Sequence, residues 1–68
     1  MTLTFSSTQS KINENHKLRK ENYQANIGIA DNCNDEVIVK LLQSHIDSNN
    51  VKINANNFIL ANYITIIN

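Results

Sequence analysis

The sequence predicts a small all-α protein: a short antiparallel helix pair, at about residues 34–48 and 54–67, with a short upstream helix as an option and homodimerisation to complete the fold. Three observations predict it. Ile38, Leu41, Leu42, His45 and Ile46 fall at i, i+3, i+4, i+7 and i+8, which is one face of a helix. Leu60, Tyr63, Ile64 and Ile67 keep the same spacing, and Ile59, Tyr63 and Ile66 widen that stripe. The 68 residues contain no Pro, so no helix is interrupted by a missing amide.

Residues 1–15 are rich in Ser, Thr and Asn, with Leu3, Phe5 and Ile12 isolated among them, and read as a mobile tail ahead of one domain over 16–68. His16 to Glu21 is a short charged segment. Tyr23, Ala25, Ile27 and Ile29 alternate, which is a strand signal, and the conformation of 17–30 stays open between helix, strand and coil. Asp31 to Glu36 is a polar loop. Asn34 is the expected N-cap of the first core helix, with Asp35 and Glu36 in its first turn, at the positive end of the helix dipole. Lys40, Gln43, Ser44 and Asp47 form the polar side of that helix, and Ser48-Asn49-Asn50 is a fitting stop. A turn at Ser48–Ile53 then separates the two helices. The last segment keeps an alternative: Val51, Ile53 and Ala55 alternate, and Phe58–Ile67 is rich in β-branched and aromatic residues, so a hairpin turning at Asn56-Asn57 is the competing reading.

Composition narrows the function classes. Six basic and six acidic residues exclude a strongly basic nucleic-acid binder and an acidic mimic, and one Cys excludes a disulfide framework. Seventeen of the 28 hydrophobic residues lie in 37–68, so the second half builds the core. The 13 Asn residues are scattered without a ladder-like run, and with ten Ile they read as the signature of an AT-rich coding sequence. No export signal and no stretch of transmembrane length is evident, so a cytoplasmic protein is expected.

Chemistry-bearing candidates are few. Cys33 has no CxxC partner, and the histidines lie too far away for a metal site in sequence, so it reads as an incidental small residue. Asp31-Asn32-Cys33-Asn34-Asp35 resembles the start of a calcium loop but has Glu36 where Gly is required and Leu42 where a bidentate Glu is required. No catalytic residues, cofactor, metal or small-molecule substrate are expected. His45, on the apolar face of the best helix, is a candidate pH sensor because protonation would set a charge against the core. Lys11, Lys17, Arg19 and Lys20 are the candidate nucleic-acid contacts. Leu41, Leu42, Ile46, Phe58, Ile59, Tyr63 and Ile66 are the candidate dimer or partner interface, because two short helices cannot bury two wide apolar faces alone.

The stretch from Glu36 to Ile46, a polar turn, and Ile53 to Ile67 resembles the core of the AriR/YmgB-like biofilm and acid-resistance regulators, the two-component-system connector proteins. The shared pattern is an acidic helix start, an apolar helix ending in a polar turn, and a second helix with paired aliphatics. Ile67 stands where the family usually carries an acidic residue. The resemblance implies a compact helical homodimer that binds a sensor-kinase or response-regulator pathway, or DNA without base specificity, and supplies no catalytic residues. The expected function is therefore a non-enzymatic regulatory protein that binds a signalling protein in biofilm or acid-stress regulation. The alternatives are a non-sequence-specific DNA-binding regulator using residues 11–20, and a phage- or plasmid-encoded α+β inhibitor or antitoxin.

Overall fold

Thr4 opens the first helix. Its hydroxyl accepts the Ser7 amide at 3.0 Å and its carbonyl accepts the Thr8 amide at 3.0 Å, supplying partners for two of the amides that a helix start exposes. From there α1 runs over Phe5–Asp31 and α2 over Glu36–Tyr63 in the computed structural model, which describes residues 4–63. Each helix is about 40 Å long. α1 ends at Asn32, whose amide reaches the Gly28 and Ile29 carbonyls and whose side-chain Nδ2 donates to the Gly28 carbonyl at 2.8 Å. After a turn over residues 32–35, Asp35 caps α2: its Oδ1 accepts the amides of Val37 and Ile38 at 3.1 and 3.2 Å.

The two helices lie antiparallel along one seam. The positions that face it recur with alternating steps of three and four: Thr8, Lys11, Asn15, Leu18, Asn22, Ala25 and Ile29 on α1, and Val39, Leu42, Ile46, Asn49, Ile53, Asn56 and Leu60 on α2. All fourteen are buried or half-buried, which is the heptad pattern of a coiled coil. Hydrogen bonds set Asn15 opposite Asn56 and Asn22 opposite Asn49. That register carries Leu18 onto Ile53, Ala25 onto Ile46 and Ile29 onto Leu42. The helices come close here: a Cβ at Gly28 would sit 2.9 Å from Leu42 Cδ1, the far end of a side chain that would have to turn aside.

The all-α helix pair is thus present, but other segments make it. The turn expected at Ser48–Ile53 lies inside α2: Asn49 and Ile53 both face α1, and cross-helix bonds to the Asn49 amide outweigh the modest helix propensity of Asn, about 0.7 kcal/mol below Ala. Residues 5–15 are not a tail but the first three turns of α1, held by the Thr4 cap and by burial of Thr8 and Asn15 against α2. Tyr23 to Ile29 is helical, because only Ala25 and the Gly28–Ile29 edge meet α2 while Tyr23 faces solvent. Asp35, not Asn34, is the cap, its carboxylate being placed to accept two amides. The hairpin alternative fails over 51–63, which is α2. Residues 64–67 of the expected second helix lie outside the described residues.

Candidate interaction surface

The seam is polar in a repeated way. Glu14-Asn15 and Glu21-Asn22 are seven residues apart on α1, and Asn49-Asn50 and Asn56-Asn57 are seven apart on α2. They meet as two copies of one four-residue clamp. In the first, Asn56 Nδ2 donates to a Glu14 carboxylate oxygen and to Asn15 Oδ1, the latter at 3.0 Å, while Asn15 Nδ2 donates to Asn57 Oδ1 at 3.0 Å. In the second, Asn49 Nδ2 donates to Glu21 Oε1 at 3.3 Å and Asn22 Oδ1 at 3.0 Å, while Asn22 Nδ2 donates to Asn50 Oδ1 at 2.9 Å. Asn15, Asn49 and Asn56 are 3%, 2% and 6% exposed. Buried amides persist at such positions because they are hydrogen-bonded, and a partnered Asn at a heptad core position specifies register. The Asn content, expected to be coding bias alone, therefore has a structural role at these positions. One buried polar atom is unmatched: Thr8 Oγ1 has no hydrogen-bond partner among the described residues.

His45 sits at the edge of the second clamp. Its Nε2 lies 3.3 Å from Asn49 Nδ2 and 3.4 Å from Glu21 Oε1. Asn49 has two N–H groups for three neighbours, so a ring with its lone pair at Nε2 competes with Glu21 and Asn22 for them, whereas a ring carrying a hydrogen there donates to Glu21. The His45 side chain is half exposed, so its charge meets a carboxylate and water rather than the core. The burial that the pH-sensor reading required is not what the fold provides. Beside it runs a shallow groove of 510 Å³ lined by Lys17, Lys20, Glu21, Gln24, Ala25, Leu42 and His45.

The candidate cations do not form one face. At 3.6 residues per turn, Arg19 points roughly 160° away from Lys17 around α1, and Lys11 is half-buried in the seam. Lys17 and Lys20 alone share the groove. Cys33 is exposed in the turn. Among the described residues no three His, Cys, Asp or Glu side chains are placed to hold a metal ion, and no helix is long and apolar enough to cross a membrane.

The candidate interface divides in two. Leu42 and Ile46 belong to the seam and already pack against α1. Leu41 and Phe58 are 67% and 64% exposed on the side of α2 that faces away from α1, and Ile59 is half-buried at the edge. The side chain of Tyr63 and all of Ile66 lie outside the described residues. Sequence reasoning missed Val37 and Val51, each 69% exposed, which complete the outer stripe. Val37, Leu41, Ser44, Ser48, Val51, Ala55 and Phe58 advance by alternating fours and threes, so α2 carries a second heptad frame almost opposite its seam. The solvent side of α1 offers Ser6, Ser10, Asn13, Lys17, Lys20 and Gln24 instead, with Phe5, Tyr23 and Ile27 as exposed large apolar groups near them.

Comparison with known protein families, with functionally characterised proteins and with solved structures yields no match to this chain.

Proposed function

We propose that the chain is a small regulatory protein without enzymatic chemistry of its own, acting by stoichiometric binding to a signalling protein. The observation that supports this reading is the outer stripe of α2. Val37, Leu41 and Val51 stand in solvent at helical spacing, each about two-thirds exposed, on a helix whose other side is already satisfied by α1. Apolar surface arranged this way is the usual basis of helix-on-helix recognition. The signalling partner and the setting of biofilm and acid-stress regulation come from the resemblance of residues 36–67 to the connector proteins. The cytoplasm is the compartment in which such a partner and an exposed free Cys33 are both at home.

The test is affinity capture from the native cell with three baits: the intact chain, Leu41→Glu, and Lys17→Glu/Lys20→Glu. A protein recovered in equal proportion with the intact chain and the lysine variant, and lost with Leu41→Glu, is the expected result. Recovery of the same proteins by all three baits refutes the role of the stripe. If the lysine variant alone loses its cargo, and that cargo is nucleic acid bound in a salt-dependent way, the DNA-binding alternative replaces this reading.

A further inference from the structure

We propose that the groove beside His45 binds a free, single-chain anionic amphiphile, of the class of a medium-chain carboxylate, with its head between Lys17 and Lys20 and its tail along Ala25 and Leu42. This site goes beyond the reading of the outer stripe: it uses none of Val37, Leu41 and Val51, and it stands or falls separately. The groove, 510 Å³ in volume, has the size of a small-ligand site, about 300–1,000 Å³. Its shape follows from the sequence. Ala25 takes a seam position of α1 between the larger Asn22 and Ile29, and Gly28 has no side chain to build up the edge. Leu42 reaches across from α2 towards Gly28 and closes the floor.

The lining is sorted from end to end. With Asn22 opposite Asn49 and Ile29 opposite Leu42, Leu42 stands about 13 Å beyond Lys20 along the seam. Lys17 and Lys20 hold one end, Ala25 and Leu42 the other. Ile38, one turn before Leu42 on α2 and 37% exposed, continues the apolar end. With carbon–carbon bonds of about 1.5 Å, an extended zigzag chain of about ten to twelve carbons spans that distance. The charge fits an anion. Neither lysine has an ion pair among the described residues, whereas the one carboxylate of the groove is engaged: Glu21 Oε1 accepts from Asn49 at 3.3 Å and lies 3.4 Å from His45 Nε2. Two cations against one occupied carboxylate leave the groove net positive, and the Gln24 amide adds N–H donors on the same wall. Inorganic phosphate would leave the apolar half unused. A duplex needs a wider field of cations, but Arg19 points away and Lys11 is half-buried in the seam. A partner helix needs a longer trough, and this one is bounded beyond Lys17 by the polar contact of Glu14 with Asn56.

The experiment titrates the intact, isotope-labelled chain with sodium decanoate to about 10 mM, enough to saturate a site with a dissociation constant of about 1 mM, and follows the amide resonances. Saturable shifts at Lys20, Gln24, Ala25 and Leu42 are expected. Octanoate should bind about fourfold more weakly, since two half-covered methylenes are lost. Lys17→Gln/Lys20→Gln, with helical circular dichroism retained, should weaken decanoate binding about fivefold or more. Arg19→Gln removes a charge from another side of α1 and should leave the affinity within about twofold. Decyltrimethylammonium, with the same tail and the opposite charge, should give no saturable shift in the groove. Absence of saturable shifts with decanoate overturns the proposal, as does an equal response to the decyl cation or an equal loss in Arg19→Gln. Shifts centred on Val37, Leu41 and Val51 overturn the groove as the site but leave the stripe as a binding face. A response to short duplex DNA or to phosphatidylglycerol vesicles without one to decanoate overturns the free amphiphile as the ligand.

Discussion

Replacing the inner clamp layer with leucine, Asn22→Leu/Asn49→Leu, should stabilise the hairpin by about 2 kcal/mol. Asn49 is 2% exposed and Asn22 half-buried, so full burial of one Leu and partial burial of the other adds roughly 3 kcal/mol. Leu also exceeds Asn in helix propensity by a few tenths of a kcal/mol at each site. Against this stand the bonds lost: Asn49 to Asn22, Asn49 to Glu21, and Asn22 to Asn50. Each contributes about 0.5–1 kcal/mol net, because Glu21 and Asn50 recover water when released. The outcome resembles other replacements of buried polar groups by apolar ones of similar volume. Thermal unfolding followed by circular dichroism should show a midpoint higher by roughly 8–16 °C for a domain of this size. Asn49→Ala alone should do the opposite, destabilising by about 1–2 kcal/mol, since it removes the donor and leaves a gap. A double Leu variant less stable than the parent would refute the view that the amides sit in the seam at a cost in stability.

Further substitutions probe other links. Thr8→Val should stabilise by about 1 kcal/mol in urea melts, because it removes a buried hydroxyl with no partner among the described residues. Asp35→Ala should destabilise by about 1 kcal/mol, through loss of the acceptor for the Val37 and Ile38 amides. Gly28→Leu should destabilise by about 1–3 kcal/mol by overpacking against Leu42, whose Cδ1 already lies 2.9 Å from an added Cβ. Replacing all four of Asn15, Asn22, Asn49 and Asn56 with Leu should raise the melting midpoint again while multiplying states. More than one set of amide resonances, or masses above the parent's, is expected, and a single set at the parent's mass would contradict the register argument.

The helical class was legible from the face formed by Ile38, Leu42, His45 and Ile46, but the division of the chain was not. Asn49 and Asn50 looked like a stop because Asn disfavours helix interiors when its side chain competes for the local backbone. Here those side chains are occupied by Glu21 and Asn22 of the other helix, a partnership nearly thirty residues away that no local pattern reports. Residues 5–15 looked like a tail for a related reason: their buried positions are Thr8 and Asn15, and hydropathy patterning cannot see a polar seam. The signal that was present is the recurrence at seven residues of Glu-Asn on one side and Asn-Asn on the other. It becomes readable only when polar residues are counted as core. Of the expected interface residues, Leu41 and Phe58 lie on the outer side of α2, whereas Leu42 and Ile46 face α1 across a seam that was not anticipated.

Two identical clamps alone would leave the register ambiguous by one heptad, since a slip in either direction still forms one of them. If α2 slides so that Asn22 meets Asn56, Asn49 lands on Ile29 and Asn15 on Tyr63. If it slides the other way, so that Asn15 meets Asn49, Asn22 lands on Leu42 and Asn56 on Thr8. The first slip sets Asn49 against Ile29 and the second sets Asn22 against Leu42, so each leaves an amide facing an apolar side chain, at about 1–3 kcal/mol if it stays buried. Each slip must also unwind helix to lengthen a turn of only four residues. The short turn and the paired clamps thus exclude the same errors independently. The consequence reaches the outer surface. Val37, Leu41, Val51 and Phe58 share one face only while α2 is straight and unbroken from Glu36 to Tyr63, and what keeps it unbroken through Ser48-Asn49-Asn50 is the grip of Glu21 and Asn22 on Asn49. The polar seam therefore holds the apolar stripe in line, and loosening the first should blunt recognition through the second.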